Sequence, residues 1–331
     1  MQLADKLRTE ADAYRYLEEL RWGDGDPVCP HCDNLGASYI EPRNGISRKV
    51  ADGCVSQRRV WRCLKCRKQF SVITGTVMHG TKLSLRIWIL VLAEMCAAKN
   101  GIAAREIQRR YGVHPRTAWH LMHRIREAMK SDGLLQSMRG VVVADETYVG
   151  GHVRNKMHPK PRKDDGKRIM PGDMRKFGPF GGKTIVLSLI DATTGEARSR
   201  IIPDVTGATL RKNIAEQVDM ANTTLFTDEN KAYGTFAHEL AGLKTVNHSQ
   251  DEYVRYENGA VITSNKAENF FSQLKRSIDG THHHVSREHL ARYLAEFDFR
   301  YSTRKLSDNE RMSKLMGQTG GKRLTYKRAT T

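Results

Sequence analysis

The run Val-Val-Val-Ala-Asp-Glu-Thr-Tyr-Val-Gly-Gly, residues 141 to 151, decides how the rest of the chain reads. Its apolar, β-branched opening predicts a strand that closes where the carboxylate of Asp145 begins. A second run, Leu-Phe-Thr-Asp at 225 to 228, closes the same way on Asp228. Alone, each aspartate reads as a cap on the following turn. Open α/β sheets, however, place their chemistry at strand ends. Glu268 follows on a predicted helix, with Lys275 seven residues beyond it. Together these residues lay out a metal-dependent phosphoryl-transfer site. Two Mg²⁺ ions about 4 Å apart require such hard oxygen ligands to clamp the attacking and leaving oxygens of a phosphodiester.

Outward from these two runs, residues 138–305 give a coherent order of elements. Strands are expected over 139–145, 184–191, 196–202, 223–227 and 243–247, and helices over 206–218, 230–240 and 264–278. Three strands, helix, strand, helix, strand, helix is the order of an α/β, ribonuclease-H-like core, a mixed sheet flanked by helices. In that order the first strand lies beside the one after the first helix, so Asp145 and Asp228 meet although 83 residues separate them. The third acid then arrives from a helix, with Lys275 two turns further along the same face, in reach of DNA. Glu146 and Glu229 adjoin the two aspartates and are alternative ligands, although strand alternation points them to the opposite face. A basic, Gly- and Pro-containing insertion spans 151–183. It reads either as a solvated loop or as a DNA-clamping one. A closing helix is expected over 288–300, after His282, His283 and His284, which read as a solvent-exposed or phosphate-contacting turn.

The first part of the chain reads as smaller modules. Residues 1–22 are expected to form one helix. Cys29-Pro-His-Cys32 and Cys63-Leu-Lys-Cys66 are two knuckles that would deliver four thiolates tetrahedrally to Zn²⁺, so 23–75 is read as a zinc ribbon with His31 and Cys54 outside the metal shell. Over 80–132 the pattern is helical, with Cys96 as a core residue. Within it, a turn at Gly112 and Pro115 at a helix start predict a helix-turn-helix that presents Arg116, Thr117, His120, His123 and Arg124 on a polar, DNA-facing side. The last stretch, 306–331, reads as a basic tail, frayed from about Gly317.

The composition agrees with a nucleic-acid partner. Among 331 residues, 55 Lys and Arg stand against 37 Asp and Glu, a net charge of +18, and 39% hydrophobic content supports a packed core. Met1 to Glu19 is charged throughout and carries no secretory pattern. The longest apolar run, Ile87 to Ala93, is too short to cross a bilayer. A cytoplasmic protein is expected, nucleoid-associated when bound to DNA, with no membrane partner.

In combination, the two knuckles, the helix-turn-helix pattern, Asp-Glu-Thr-Tyr-Val-Gly-Gly at 145–151, Asn-His-Ser at 247–249, Glu252-Tyr253, Asn265-x-x-Glu268-x-Phe-Phe, Leu274-Lys275-Arg276, the Gly280 to Val285 turn and Phe297-x-Phe-Arg-Tyr301 resemble the zinc-ribbon insertion-sequence transposases of bacteria. These are the acidic-triad, ISXO-like enzymes related to the eukaryotic Merlin elements, and the resemblance covers nearly the whole chain. It implies a transposase that binds the terminal inverted repeats of its element in double-stranded DNA and joins them to a target. Asp145 and Asp228 match the first two acids. The third place falls on Glu268 or on Asn265, since some relatives carry Asn there. Glu268 is favoured because a carboxylate holds Mg²⁺ or Mn²⁺ better than an amide, and Asn265 is left to cap the helix or add a carbonyl ligand. Lys275 and Arg276 are expected at DNA, and His248 near the active face. A dimer or higher assembly is expected, because two ends must be brought together. Rival readings are a DNA-binding transcription regulator with merely structural carboxylates, or a catalytically inactive, domesticated transposase.

Overall fold

The computed structural model describes residues 2–41, 48–49, 55–56, 58–131, 136–150, 183–228, 230–245, 255–257, 260–262 and 265–330. The chain divides into two compact units, one of Met1–Ser131 with Thr303–Thr331 and one of Asp132–Ser302.

The first unit begins with two helices, α1 (Gln2–Lys6) and α2 (Glu10–Trp22), where the sequence predicts one. The break is a capping box. The Thr9 side chain accepts from the Asp12 amide, and the Asp12 carboxylate accepts from the Thr9 amide, so a new helix starts there. Five short strands follow: β1 (Ala37–Ile40), β2 (Arg48–Lys49), β3 (Val55–Ser56), β4 (Val60–Cys63) and β5 (Gln69–Phe70). β1, β4 and β5 form one antiparallel sheet, and β2 pairs with β3.

Three helices come next: α3 (Leu85–Ala97), α4 (Ala104–Tyr111) and α5 (Pro115–Met129). The N-terminus of α3 is capped from outside, because the buried Glu10 carboxylate accepts from Ser84 Oγ at 2.5 Å and from the Leu85 amide at 2.7 Å. Gly112, at φ +62°, turns the chain between α4 and α5, and the His114 side chain accepts from the Arg116 amide ahead of Pro115.

The second unit is built on five strands: β6 (Met138–Val149), β7 (Thr184–Asp191), β8 (Ala197–Ile202), β9 (Val218–Thr227) and β10 (Gly242–Thr245), with α6 (Gly207–Ala215) between β8 and β9. Their order is β10-β9-β6-β7-β8; β6 runs antiparallel to β7 and parallel to β9. A hairpin absent from the sequence reading, β11 (Arg255–Glu257) and β12 (Ala260–Ile262), precedes α7 (Asn265–Ser277) and α8 (Arg287–Ser302).

Alternation along β6 sends Val143 and Val149 to one face, where they meet Phe270, Phe271 and Leu274 of α7 and Leu294 and Phe297 of α8. Val142 and Ala144 go to the other face, toward Leu210 and Ile214 of α6 and toward Tyr233 and Phe236. Phe270 is wholly buried, which contributes roughly 1.5–3 kcal/mol. This is the expected mixed sheet flanked by helices, but β6 does not close on Asp145: its pairing with β7 carries it on to Val149, opposite Thr184, and β9 also starts earlier than expected.

Two expectations change. The predicted helix over 230–240 is a 3₁₀ segment, Lys231–Glu239, interrupted by non-helical backbone at Phe236. The basic tail is largely folded: α9 (Asp308–Gly317), started by a Ser307–Glu310 capping box, buries Met312, Leu315 and Met316, and α10 (Tyr326–Thr330) follows. Arg311 anchors α9 by donating to the Cys96 carbonyl at 2.5 Å. The cue for α9 was present in its i, i+3, i+4 apolar spacing.

Gly207 shows how tightly α6 meets the 3₁₀ segment. A Cβ there would lie 2.2 Å from Thr235 Oγ1 and 3.0 Å from the Ala232 carbonyl oxygen. Gly207→Ala is expected to lower unfolding free energy by about 1–3 kcal/mol through overpacking. Urea denaturation should show an earlier midpoint at unchanged slope. A wild-type midpoint would mean that the contact yields freely.

Candidate active site and metal-binding knuckles

The two Cys-x-x-Cys turns have the same backbone design. In each, the residue after the second cysteine takes a left-handed conformation, Asp33 at φ 53° and Arg67 at φ 60°. Its amide donates to the carbonyl of the first cysteine, Asp33 to Cys29 at 2.9 Å and Arg67 to Cys63 at 3.1 Å. The thiols thereby converge. Cys29 Sγ lies 3.7 Å from Cys66 Sγ, Cys32 Sγ lies 3.7 Å from Cys63 Sγ, and all four sulfurs fall within 4.8 Å of one another. A tetrahedral Zn²⁺ with bonds of about 2.3 Å has sulfur–sulfur edges of about 3.8 Å, so this donor set fits zinc. The Cys66 amide, pointing at Cys63 Sγ from 3.4 Å, helps draw the Cys63 thiol down to about 6, toward the thiolate a metal takes. Cys54 lies outside the described residues.

The carboxylate site is set by sheet register. β6 and β9 run parallel and pair as far as Val143 opposite Phe226, so Asp145 and Asp228 stand two residues beyond the last matched pair on neighbouring strands. Their carboxylates meet, and Glu146 joins them: ligand atoms of all three lie within 4.8 Å of one another. This corrects the expectation that alternation removes Glu146. Asp228 lies past the ladder, where β9 turns into the 3₁₀ segment, so carboxylates from both faces of β6 reach it. The Tyr233 hydroxyl donates to Glu146 Oε1 at 2.7 Å, and Asp228 Oδ1 accepts from the Asn230 amide at 3.1 Å. Tyr233 was therefore missed as a site residue. Its signal lay in the short spacing from Asp228 to Tyr233, which only the turn makes meaningful.

Burial, and then the charge of Asp228, pushes the Asp145 carboxyl up to about 7. Burial also raises Glu146 to about 7, against the Tyr233 hydrogen bond that favours its ionised form. Among the described residues, no Lys or Arg forms an ion pair with Asp145, Glu146 or Asp228. Hard oxygen donors, clustered and without a cation of their own, fit a divalent metal ion.

The other expected residues divide. Asn265 opens α7 and Glu268 lies in its first turn, both exposed, while Lys275 and Arg276 are exposed in the last turn. Glu268 lies outside the 4.8 Å cluster, but its charge is among those that raise Asp145. Arg116 and Thr117 are exposed at the start of α5, and His120 is half-buried against the Tyr326 ring at 5.4 Å. Arg124 does not face outward. It is buried, with its guanidinium 4.9 Å from the Trp88 ring and donating to the His79 carbonyl at 2.8 Å. His123 is fully buried too. Arg124 is tolerated inside because its charge stacks on the Trp88 ring of α3 and its guanidinium is met by a carbonyl. Glu229, the 247–249 motif with His248, Glu252-Tyr253 and the 151–183 insertion fall outside the described residues.

The family model described as the ISXO2-like transposase domain matches residues 137–302, and the transposase zinc-ribbon domain matches residues 8–69. A protein of Halobacterium salinarum, described as an uncharacterized protein in transposable element ISH50, is 28% identical over 294 residues, covering 88% of this chain and 90% of that protein. The matched transposase domain contains the whole carboxylate site, and the ribbon match contains all four cysteines, so this chain belongs to the ISXO2-like transposase family of insertion sequences.

Proposed function

We propose that the protein is a DNA transposase that binds the terminal inverted repeats of its element, cuts the strand ends and joins them to target DNA by metal-dependent phosphoryl transfer. The observation that carries this reading is the meeting of Asp145, within β6, and Asp228, just past the end of the neighbouring parallel strand β9, with no cationic partner among the described residues. Asp145, Asp228 and Glu268 would hold Mg²⁺ or Mn²⁺, with Asn265 as the alternative to Glu268. Bound there, the ions would supply Lewis-acid activation of water for cleavage and of a 3′-hydroxyl for strand transfer. The protein itself contributes position. The β6–β9 register fixes the two aspartates, and packing of Phe270, Phe271 and Leu274 fixes α7, so Glu268 and Lys275 share its outer face.

Double-stranded DNA would meet Lys275 and Arg276 beside the site and Arg116 and Thr117 on the helix pair, which would read the repeat together with the ribbon. Arg154, Lys156, Arg162, Lys163, Lys167 and Arg168 would hold the backbone. Two ends in one reaction call for a dimer or higher assembly. No described helix is long and apolar enough to cross a membrane, and action at the nucleoid in the cytoplasm follows from the DNA substrate.

The direct test is nicking and strand transfer on a labelled duplex carrying the gene's own flanking ends, with Mg²⁺ or Mn²⁺, comparing wild type with Asp228→Ala. Activity in wild type and none in the variant is expected, with end binding retained by both. End binding by both proteins without any cleavage would instead identify a DNA-binding regulator or an inactive relic.

A further inference from the structure

We infer that Glu146 is itself a metal ligand of the active site and that the buried hydroxyl of Tyr233 positions it. This rests on the transposase reading above and adds a residue to it. The Glu146 carboxylate stands within 4.8 Å of the ligand atoms of both Asp145 and Asp228, whereas Glu268 is exposed and outside that cluster. Three of the four acids at the site are therefore already gathered on the sheet, and Glu146 is the third.

Tyr233 explains how the gathering is held. Its side chain is completely buried, packed against Phe236 with ring centroids 6.1 Å apart, and its hydroxyl donates to Glu146 Oε1 at 2.7 Å. A phenol that donates to one carboxylate oxygen fixes the rotamer and leaves the other oxygen to accept from a cation. The turn after β9 braces the second aspartate too. Asp228 Oδ1 accepts from the Asn230 amide at 3.1 Å, and Asn230 Oδ1 accepts from the Ala232 amide at 3.0 Å, one residue before Tyr233. Asp228 and Glu146 are thus positioned by one short stretch of chain.

A Tyr–Glu hydrogen bond at a sheet edge needs no metal. What sets this one apart is that it presses a glutamate toward two aspartates, an arrangement that like-charge repulsion disfavours unless a cation sits among them. The geometry divides the labour between the acids. Asp145, Glu146 and Asp228 would together hold one divalent ion, while Glu268 lies on the exposed face of α7 outside that cluster.

The test is Mn²⁺ binding to the full-length, zinc-loaded protein without DNA, read from the electron paramagnetic resonance signal of free Mn²⁺. Asp228→Asn and Glu146→Gln are each expected to weaken the tight site by about tenfold or more, and Tyr233→Phe by about tenfold at unchanged stoichiometry. Raised Mn²⁺ should restore strand cleavage in Tyr233→Phe, which a purely structural role for the hydroxyl would not allow. Wild-type affinity in Glu146→Gln, beside a loss in Asp228→Asn, overturns the role of Glu146 and leaves the transposase reading intact. Unchanged affinity in Asp228→Asn as well overturns the metal site on which that reading depends. Should Glu146→Gln fail to fold by circular dichroism, Tyr233→Phe decides: a tenfold loss supports the inference, and wild-type affinity overturns it.

Discussion

Removing zinc with a chelator, or replacing Cys63 with serine, is expected to dissolve the β1-β4-β5 sheet while the β6–β10 sheet stays folded. The reason is the size of the ribbon's core. Among the described residues, the apolar cluster around the knuckles buries Cys29, Cys63 and Phe70, with Trp22, Trp61 and Ala37 only partly covered around them. Such a cluster cannot offset the ordering entropy of the chain between the knuckles. Zinc binding to comparable small sites contributes roughly 10–16 kcal/mol of apparent free energy at neutral pH, and here that is folding free energy.

The loss should spread to α2. Glu18 on that helix accepts from Arg59 at 2.7 Å and from Trp61 Nε1 at 2.9 Å, so it is tied to β4 and the residue before it. Intrinsic fluorescence gives the readout, because Trp22 and Trp61 pack edge to face with centroids 5.9 Å apart and would both enter water. Hydrogen exchange should show the loss over α2 and residues 29–70, with protection of the β6–β10 sheet retained. Retained protection of β4 after zinc has been released stoichiometrically would refute the metal's structural role.

The second large effect concerns Asp145. Replacement by asparagine is expected to reduce strand cleavage by about a thousandfold or more, since it removes a charged ligand from beside Asp228. The same change should stabilise the metal-free protein in alkaline solution. The Asp145 carboxyl, with an ordinary value of 3.8, is raised to about 7 in the folded protein. A group whose folded value lies above its unfolded value binds more protons when folded. Its stabilising contribution is therefore complete below pH about 4 and is lost as pH rises to about 7.

Above that point wild type carries a buried like-charge penalty on the order of 2 kcal/mol, which the asparagine lacks. Thermal melts without divalent ions should show Asp145→Asn melting above wild type at pH 8, with the difference much reduced at pH 4. Mg²⁺ should raise the wild-type melting temperature at pH 8 more than at pH 5.5, because protons and metal compete for the same oxygens. Equal melting of the two proteins at pH 8 would mean that Asp145 is solvated well enough to ionise without cost.

Much of this protein could be read before folding it. The knuckles were legible because four thiolates at Cys-x-x-Cys spacing have few other uses in one chain, and the local turns at Asp33 and Arg67 deliver them without help from distant residues. The strands that carry the aspartates were legible because β-branched runs beside a carboxylate are a local signal, although only β9 stops at its aspartate and β6 runs on past Asp145 to Val149. The order of strands and helices then implied that Asp145 and Asp228 are neighbours.

Side-chain direction was less accessible. Arg124 falls on the same helical stretch as Arg116, and its type says polar face, yet it lies buried against Trp88. A cation stacked on an aromatic ring with its guanidinium on a carbonyl is satisfied inside, and no periodicity distinguishes it from a cation in solvent.

The sequence by itself determined the kinds of parts and their order: a metal-held ribbon, a helical region with a turn at Gly112, and a mixed sheet whose first and fourth strands carry the acids. These rest on local propensity, spacing and charge, all of which the chain carries residue by residue. Only the tertiary structure decided which acids assemble. Glu146 enters the site because Asp228 lies two residues beyond the last β6–β9 pair and the turn after β9 brings the Tyr233 hydroxyl to Glu146, while Glu268 stays exposed on α7. It likewise folded the basic end of the chain into α9, where Arg311 reaches the Cys96 carbonyl 215 positions away in sequence. Contacts of that kind depend on where two distant segments come to lie, and neither segment encodes the position of the other.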